Sequence, residues 1–417
     1  MSIHRMLTTF IVTVTAIVIL NQSMFFSFMG LLGVNYEGSE SSNIYIIYLT
    51  ALFIFTLASY LYTVLTIGLS QNELVALGLL VLFFFVHLLW VLFDPSGTQL
   101  FPMLLIHSVM LGFVGLFAAL TIVKMNLMDR LIKMAELFFV IQGVGIATYS
   151  VLNTLAGIKV ASLAGATYQA LSYYSAFTMG MLIAYAFLLP SNLRYTFTKN
   201  VVYKSFLYTL TLSCALGVLI GGGRGAFLLM LAYLALASWY MFFGHKAISH
   251  RKLLQLLLRL ITLAGLILIF LIIFKDMDFI QSGFRRATQF ISSDGIDLAR
   301  GSSGRDRVYA IALQYIFQQP IMGYGPFGVY DKSIHAHNVF LELWLQFGLF
   351  IFIALIICGY FIIKKLNQLN TDYKIWLVFL SLYPVINIQF SSTYLTSPII
   401  WFFLATIFLI KNRDSPS

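Results

Sequence analysis

Long apolar runs separated by short polar segments set the pattern of this chain of 417 residues. An α-helix rises about 1.5 Å per residue and the hydrocarbon core of a bilayer is about 30 Å thick, so roughly 20 apolar residues are needed to cross it. The pattern therefore predicts an all-α polytopic membrane protein with about 12 transmembrane helices. The predicted spans lie at residues 8–31, 44–69, 74–93, 100–123, 134–153, 171–190, 205–222, 226–243, 253–274, 339–363, 375–392 and 397–410.

The connections between these spans differ in charge. Lys and Arg concentrate in alternate connections and at both ends of the chain, which the positive-inside rule assigns to the cytoplasm. We therefore expect a single transmembrane domain over residues 1–417 with both termini cytoplasmic. The connection at 275–338 is the exception, because it falls on the outer side and is still rich in arginine. A loop of this length in a compact chain is usually functional or disordered, and its helix signals favour function.

Composition supports the same class. The chain is 60% hydrophobic and 10% charged, whereas a soluble domain carries about 25% charged residues. The net charge of +10 is explained by cytoplasmic loops and anionic head groups, and no basic tract interleaved with aromatic residues indicates nucleic acid. Membrane lipids are thus expected partners and nucleic acid is not. Cys214 and Cys358 each lie alone in an apolar run, which favours small buried side chains over a disulfide or a metal pair.

The loop at 275–338 contains two predicted helices. The first, at 278–291, is amphipathic and has Arg285 on its more polar side; it either lies among lipid head groups or packs as an ordinary helix. The second begins at a capping box, Ser303 to Asp306, and ends at Pro320. This places Arg305 in a first helical turn, where a cation is unfavourable unless an anion binds beside it or an aspartate pairs with it. The aspartates available for such a salt bridge are Asp294, Asp297 and Asp306.

A second arginine lies between two predicted spans. The run Gly221 to Gly225 includes Arg224 and must reverse the chain at the outer interface, because the flanking apolar segments together are too long for one span. An arginine at the bilayer centre costs at least about 2.5–3.5 kcal/mol, so Arg224 should face a polar cavity or a lipid phosphate, or extend to the interface.

Histidine supplies the candidate base. His337 stands with Asn338 at the start of an apolar run, and Glu342 follows one turn later. A neutral imidazole can accept a proton from a hydroxyl near pH 7. His337 is alternatively a structural residue at a helix entry, and His335 is the other candidate base. Two histidines alone are weak evidence for a zinc site.

The order of these motifs resembles the O-antigen ligase and polymerase superfamily. The resemblance rests on Gly223 to Ala226, Ser303 to Arg305, the glycine turn from Pro320 to Gly325, and the segment from His337 through Glu342 to Gly348, all placed around one large outer loop. One position departs from the pattern, since Gly223 stands where many relatives have Ser or Thr.

The resemblance implies a metal-independent glycosyltransferase without a cofactor, which uses a glycan linked through diphosphate to a polyprenyl lipid. By this resemblance Arg224 and Arg305 hold the diphosphate and His337 activates the acceptor hydroxyl. A departing diphosphate develops negative charge, which fixed guanidinium groups stabilise. Further candidates for binding phosphates, acidic sugars or other parts of the substrate are Arg307, Arg300, Arg285, His335, Asn338 and Glu342.

Within that family, the resemblance favours a polymerase of O-antigen or capsular repeat units at the outer face of the bacterial cytoplasmic membrane. The alternative enzyme is the ligase that transfers finished glycan to the lipid A core. The alternative that is not an enzyme is a polysaccharide transporter or flippase. The expected partners are the lipid-linked donor and acceptor, with a chain-length regulator and a flippase as candidates.

Overall fold

The computed structural model describes residues 3–32, 39–93, 108–155, 163, 168–195, 200–243, 265, 281, 285, 291–292, 295–296, 305–325, 336–390 and 393–410. Within them the chain is helical, apart from one short antiparallel pair of strands, β1 (Ile291–Ser292) and β2 (Gly295–Ile296). The helices are α1 (Ile3–Leu31), α2 (Ser39–Ile67), α3 (Gln71–Phe93), α4 (Val114–Lys124), α5 (Met128–Leu155), α6 (Tyr168–Ile183), α7 (Val201–Gly221), α8 (Arg224–Phe243), α9 (Arg305–Gln318), α10 (Val339–Phe347), α11 (Phe350–Gln368), α12 (Thr371–Asn387) and α13 (Pro398–Leu409).

Eight of the described helices are long and apolar enough to cross a membrane, namely α1, α2, α3, α5, α6 with its continuation to Leu188, α7, α8 and α11. The chain is therefore a multi-pass helical membrane protein, as the hydrophobic pattern predicts. Ser108–Lys124 and Pro398–Leu409 are apolar but shorter. The predicted span at 253–274 lies outside the described residues except at position 265.

One predicted span is wrong. The apolar run at 339–363 is not one helix, because α10 ends at Phe347 and α11 begins at Phe350. Gly348 between them has φ +67°, a left-handed conformation that glycine adopts without the steric cost of a Cβ. The membrane-length helix here is therefore Phe350–Gln368, displaced towards the C-terminus from the prediction.

The structure describes only part of the loop at 275–338, so it tests the loop prediction at few residues. Residues 281 and 285 are helical, as the predicted helix at 278–291 requires, but Ile291 belongs to β1 rather than to the end of that helix. Ser303 lies outside the described residues, so the capping box stays a prediction, whereas α9 does begin at Arg305 and end before Pro320.

The bundle is centred on α6. In the most apolar stretch of α6 and its continuation, 83% of the residues are buried, compared with none in that of α11. Helix α6 packs against α5, α7, α8 and α12. Buried polar groups join α1, α5 and α6. Ser23 Oγ of α1 donates to Gln142 Oε1 of α5 over 2.9 Å, and Gln142 Nε2 donates to Thr178 Oγ1 of α6 over 2.7 Å. Such pairing is needed because a polar group without a hydrogen-bond partner in hydrocarbon costs roughly several kcal/mol of desolvation free energy.

Candidate functional site

The glycine-rich reversal before Arg224 is as tight as the sequence predicts. Helix α7 ends at Gly221, α8 begins at Arg224, and Gly222 between them has φ +65°. The Gly223 N–H donates to Ser172 Oγ of α6 over 3.0 Å. A Cβ at Gly223 would lie 2.8 Å from Ser172 Cβ, so the absence of a side chain at position 223 lets the turn pack directly on α6.

The residue after Arg224 fixes the approach of two aromatic side chains. A Cβ at Gly225 would lie 1.9 Å from the Tyr173 hydroxyl and 3.1 Å from Phe390 Cδ2. Real Cβ atoms essentially never come within 3.0 Å of such a neighbour. Tyr173 and Phe390 therefore occupy the space that any other residue at position 225 would fill, and they bring α6 and the end of α12 against the first turn of α8.

Phe390 also meets the second arginine. The Arg305 Cζ atom lies 5.9 Å from the centroid of the Phe390 ring, within the reach of a cation–π contact of about 6 Å. Arg305 is the first residue of α9 and is partly buried. Because one ring touches both Gly225 and Arg305, the N-termini of α8 and α9 converge there. We call this end of the bundle, defined by Arg224, Arg305 and Phe390, the arginine end.

His337 lies within the electrostatic influence of Arg305. Burial lowers the pKa of the His337 imidazole from its ordinary value, and the positive charge of Arg305 lowers it further. The backbone of His337 has φ +48°, which is uncommon for a residue other than glycine and is often retained at functional sites. The imidazole is thus held mainly neutral near pH 7, in the form that accepts a proton.

Backbone contacts hold this part of the chain in place. Asn338 caps α10, its Oδ1 accepting from the Phe340 and Leu341 N–H groups at 3.0 and 3.2 Å. The glycine turn then pairs with the end of α10, because Tyr324 N donates to Leu345 O and Gly325 N donates to Gln346 O, each over 2.7 Å. The turn after α9 and the end of α10 therefore form one unit, in which Arg305 opens the first helix and His337 precedes the second.

Glu342 ties the same unit to the segment before α13. Its side chain is 4% exposed, and its Oε1 accepts from Thr393 Oγ1 over 2.7 Å. One turn further, Gln346 Oε1 accepts from the Tyr394 hydroxyl over 2.9 Å. These contacts orient α10, and the predicted role of Glu342 in binding substrate stays a prediction.

The remaining predicted residues are placed as follows. Arg307 and Arg285 are exposed, and Arg307 lies in the first turn of α9, two residues from Arg305. Arg300 and His335 lie outside the described residues. The structure thus brings Arg224, Arg305 and His337 into one region and places Asn338 as a helix cap.

Sequence reasoning missed Phe390, Tyr173 and Thr393. Phe390 and Tyr173 stand at the edges of apolar runs, where aromatic residues are ordinary core and interface side chains. The one available signal was the polar tract after Phe390, Ser391-Ser392-Thr393, which lies where the predicted span 375–392 ends, before the span 397–410 begins. Among the described residues, no three His, Cys, Asp or Glu side chains are grouped so that they could hold a metal ion.

The fold and the arginine end together define a multi-pass helical membrane protein in which the N-termini of two helices that begin with arginine meet near one end of the bundle, with His337 beside Arg305. Residues 209–356 match the protein-family model described as Wzy_C, O-Antigen ligase. The match supports the resemblance to the O-antigen ligase and polymerase superfamily over residues 209–356. The matched range includes Arg224, Arg305 and His337. No curated protein and no solved structure gives a significant match to the chain.

Proposed function

We propose that this protein polymerises glycan repeat units carried on polyprenyl diphosphate, at the outer face of the bacterial cytoplasmic membrane. The observation that carries the proposal is the convergence of Arg224, Arg305 and His337 at the arginine end. Two guanidinium groups favour a diphosphate, to which arginine can donate bidentately. An imidazole whose pKa is lowered stays in the neutral form, which can accept the proton of an acceptor hydroxyl.

The reaction assigns one role to each group. His337 accepts the proton of an acceptor hydroxyl as that oxygen attacks the anomeric carbon of the donor sugar. The bond between that carbon and the diphosphate oxygen breaks, and the lipid diphosphate leaves with the bonding electron pair. Arg224 and Arg305 stabilise the negative charge that develops on the leaving group. The bond to the diphosphate supplies the driving force, so no nucleotide is needed at this face of the membrane.

The direct test is elongation by the purified protein in nanodiscs, with a lipid-linked repeat unit as the only substrate and without nucleotide. The His337→Ala variant is expected to lower the elongation rate by about 10²–10⁴-fold, the contribution of a general base. His4→Ala is the matched control, because His4 is exposed near the start of α1 and its loss should leave the rate unchanged. Full activity of His337→Ala would remove the assignment of this residue as base.

The ligase is the second candidate, because the matching family model is described as an O-antigen ligase. Surface glycan after gene deletion separates the two enzymes. Lipid A core capped by a single repeat indicates that a polymerase has been lost, whereas bare core with long chains stranded on the lipid carrier indicates a ligase. Movement of lipid-linked repeats across the membrane of vesicles that contain the purified protein, without any elongation, would instead favour the transporter.

A further inference from the structure

A second polar region lies at the opposite end of the bundle. Tyr373 stands near the start of α12 and Phe390 just beyond its end, and a helix of 17 residues is about 25 Å long. Beside Tyr373 is a cavity of about 500 Å³. It is bounded by the ends of α2, α4 and α13 and by the beginnings of α3, α5 and α12. Because so many helices end at this level, the cavity lies where lipid head groups meet the protein.

A buried ion pair forms part of the cavity wall. Lys124 Nζ donates to Glu73 Oε2 over 2.5 Å, and their side chains are 9% and 4% exposed. The same Oε2 accepts from Ser70 N at 2.6 Å, while Glu73 N donates to Ser70 Oγ at 3.3 Å, so Glu73 also caps α3. Burying two charges is costly, and their attraction repays the loss of water only when further hydrogen bonds satisfy both groups.

Neither the Glu73 carboxylate nor the Lys124 ammonium has a full set of these further hydrogen bonds. Glu73 Oε1 is buried and has no hydrogen-bond partner in the part of the chain that the structure describes. An ammonium has three N–H donors, and the bond to Glu73 takes one donor of Lys124. The pair therefore retains one buried acceptor and two donors. Asn126, held at φ +55° on the cavity wall, adds an amide that can both donate and accept.

The rest of the lining is apolar and includes Leu120, Leu409 and Ile410. The volume falls within the range of about 300–1,000 Å³ that is typical of ligand sites. One cation and one anion side by side complement a ligand that carries one charge of each sign. The apolar wall complements a hydrocarbon chain joined to that ligand.

We propose that this cavity binds an aminophospholipid with a phosphoethanolamine head group, taken from the leaflet opposite the arginine end. The phosphate accepts from Lys124 and Asn126, the primary ammonium donates to the Glu73 carboxylate, and the first part of an acyl chain lies along Leu120 and Leu409. The site is a lipid site remote from the candidate active site. It rests on the ion pair and the cavity, and not on the proposed glycosyl transfer.

The test uses the purified full-length protein in detergent, incubated with equimolar dioleoyl phosphatidylethanolamine, phosphatidylcholine and phosphatidylglycerol. Native mass spectrometry counts the lipid that remains bound. Phosphatidylethanolamine should be retained in preference, because the choline group has no N–H to donate and the glycerol head group carries no cation. Equal retention of the three lipids would overturn the proposal. So would full displacement of bound lipid by soluble phosphoethanolamine, which would make the ligand a free phosphate compound.

Two variants locate the bound lipid. Glu73→Gln with Lys124→Gln removes both charges together and should lower the preference for phosphatidylethanolamine about tenfold, the effect of losing a charge-assisted hydrogen bond. Lys364→Gln is the control, because Lys364 is exposed on α11. Val123→Trp keeps the ion pair but fills the cavity that Val123 lines, so it should also reduce retention and serves if the double variant does not fold. Unchanged retention by a folded variant of either kind would refute the site.

Discussion

At the end of the bundle that holds the Glu73–Lys124 pair, a positive charge is matched by a carboxylate 2.5 Å away. At the arginine end, Arg305 lies over the ring of Phe390 and lowers the pKa of His337. In the part of the chain that the structure describes, Arg305 makes no ion pair. In the first region the cation faces a carboxylate, whereas in the second Arg305 faces an aromatic ring and an imidazole.

This difference indicates what each region is suited to bind. A balanced pair with incomplete hydrogen bonding favours a zwitterion, whose two charges are satisfied at once. An arginine beside a neutral imidazole favours an anion such as a diphosphate together with an acceptor hydroxyl. The two regions also differ in construction, because the arginine end depends on close backbone approach at Gly225 and Gly348, whereas the other end depends on side-chain pairing.

Among the changes that test this comparison, the largest effect is expected from changing the shape of a cation without changing its charge. Arg305→Lys should lower elongation of a lipid-linked repeat by about a hundredfold, since Lys cannot donate bidentately to a phosphate and the loss of one preorganised donor has effects of this size. The measurement is the initial elongation rate at saturating acceptor. Arg5→Lys is the matched control, because Arg5 is exposed near the start of α1 and is not among the candidate substrate-binding residues. Equal rates for both variants would mean that only net charge matters at the arginine end.

A smaller effect, on stability, should show whether the arginine end depends on close approach at Gly225. Gly225→Ala places a Cβ 1.9 Å from the Tyr173 hydroxyl, and relief of this overlap should cost about 1–3 kcal/mol of stability. The measurement is the thermal unfolding temperature in detergent, together with the elongation rate.

Gly359→Ala is the control for that substitution. A Cβ at Gly359 of α11 meets no atom within 4 Å, and alanine is the better helix former by about 1 kcal/mol. The unfolding temperature should therefore fall for Gly225→Ala and not for Gly359→Ala. Equal unfolding temperatures would show that the Tyr173 side chain can move away, and that the arginine end is less tightly built than its contacts indicate.

The hydrophobic pattern predicted the membrane class and most helices because burial in lipid requires long apolar runs, and such runs are visible in sequence. It failed at 339–363, since an apolar average does not register the left-handed turn at Gly348 that separates α10 from α11. Hydropathy measures whether a residue tolerates hydrocarbon. It does not measure whether the backbone can continue as one helix through that residue.

The site was predictable in part for a related reason. Arg224, Arg305 and His337 stand out because charged and titratable residues are rare in this chain. Phe390 and Tyr173 do not stand out, because their importance lies in contacts with Gly225 and Arg305, which are distant in sequence. A glycine between an arginine and an apolar run predicts a close approach, but it does not identify the residue that approaches.

The smallest effect is a shift in titration, and it tests the electrostatic coupling between Arg305 and His337 directly. Arg305 lowers the pKa of His337, so replacing it with methionine removes a repulsive positive charge, makes protonation easier and raises that pKa. Burial is the larger cause of the lowering and persists in the variant, so the pKa should stay below the ordinary histidine value.

The rate at which diethylpyrocarbonate modifies His337, followed on its peptide by mass spectrometry, reports the neutral fraction whether or not the protein is active. Its midpoint should move to higher pH in Arg305→Met and stay in place in Arg307→Met. A midpoint unmoved by Arg305→Met would mean that Arg305 and His337 are not electrostatically coupled, and the two groups could not then serve one reaction centre.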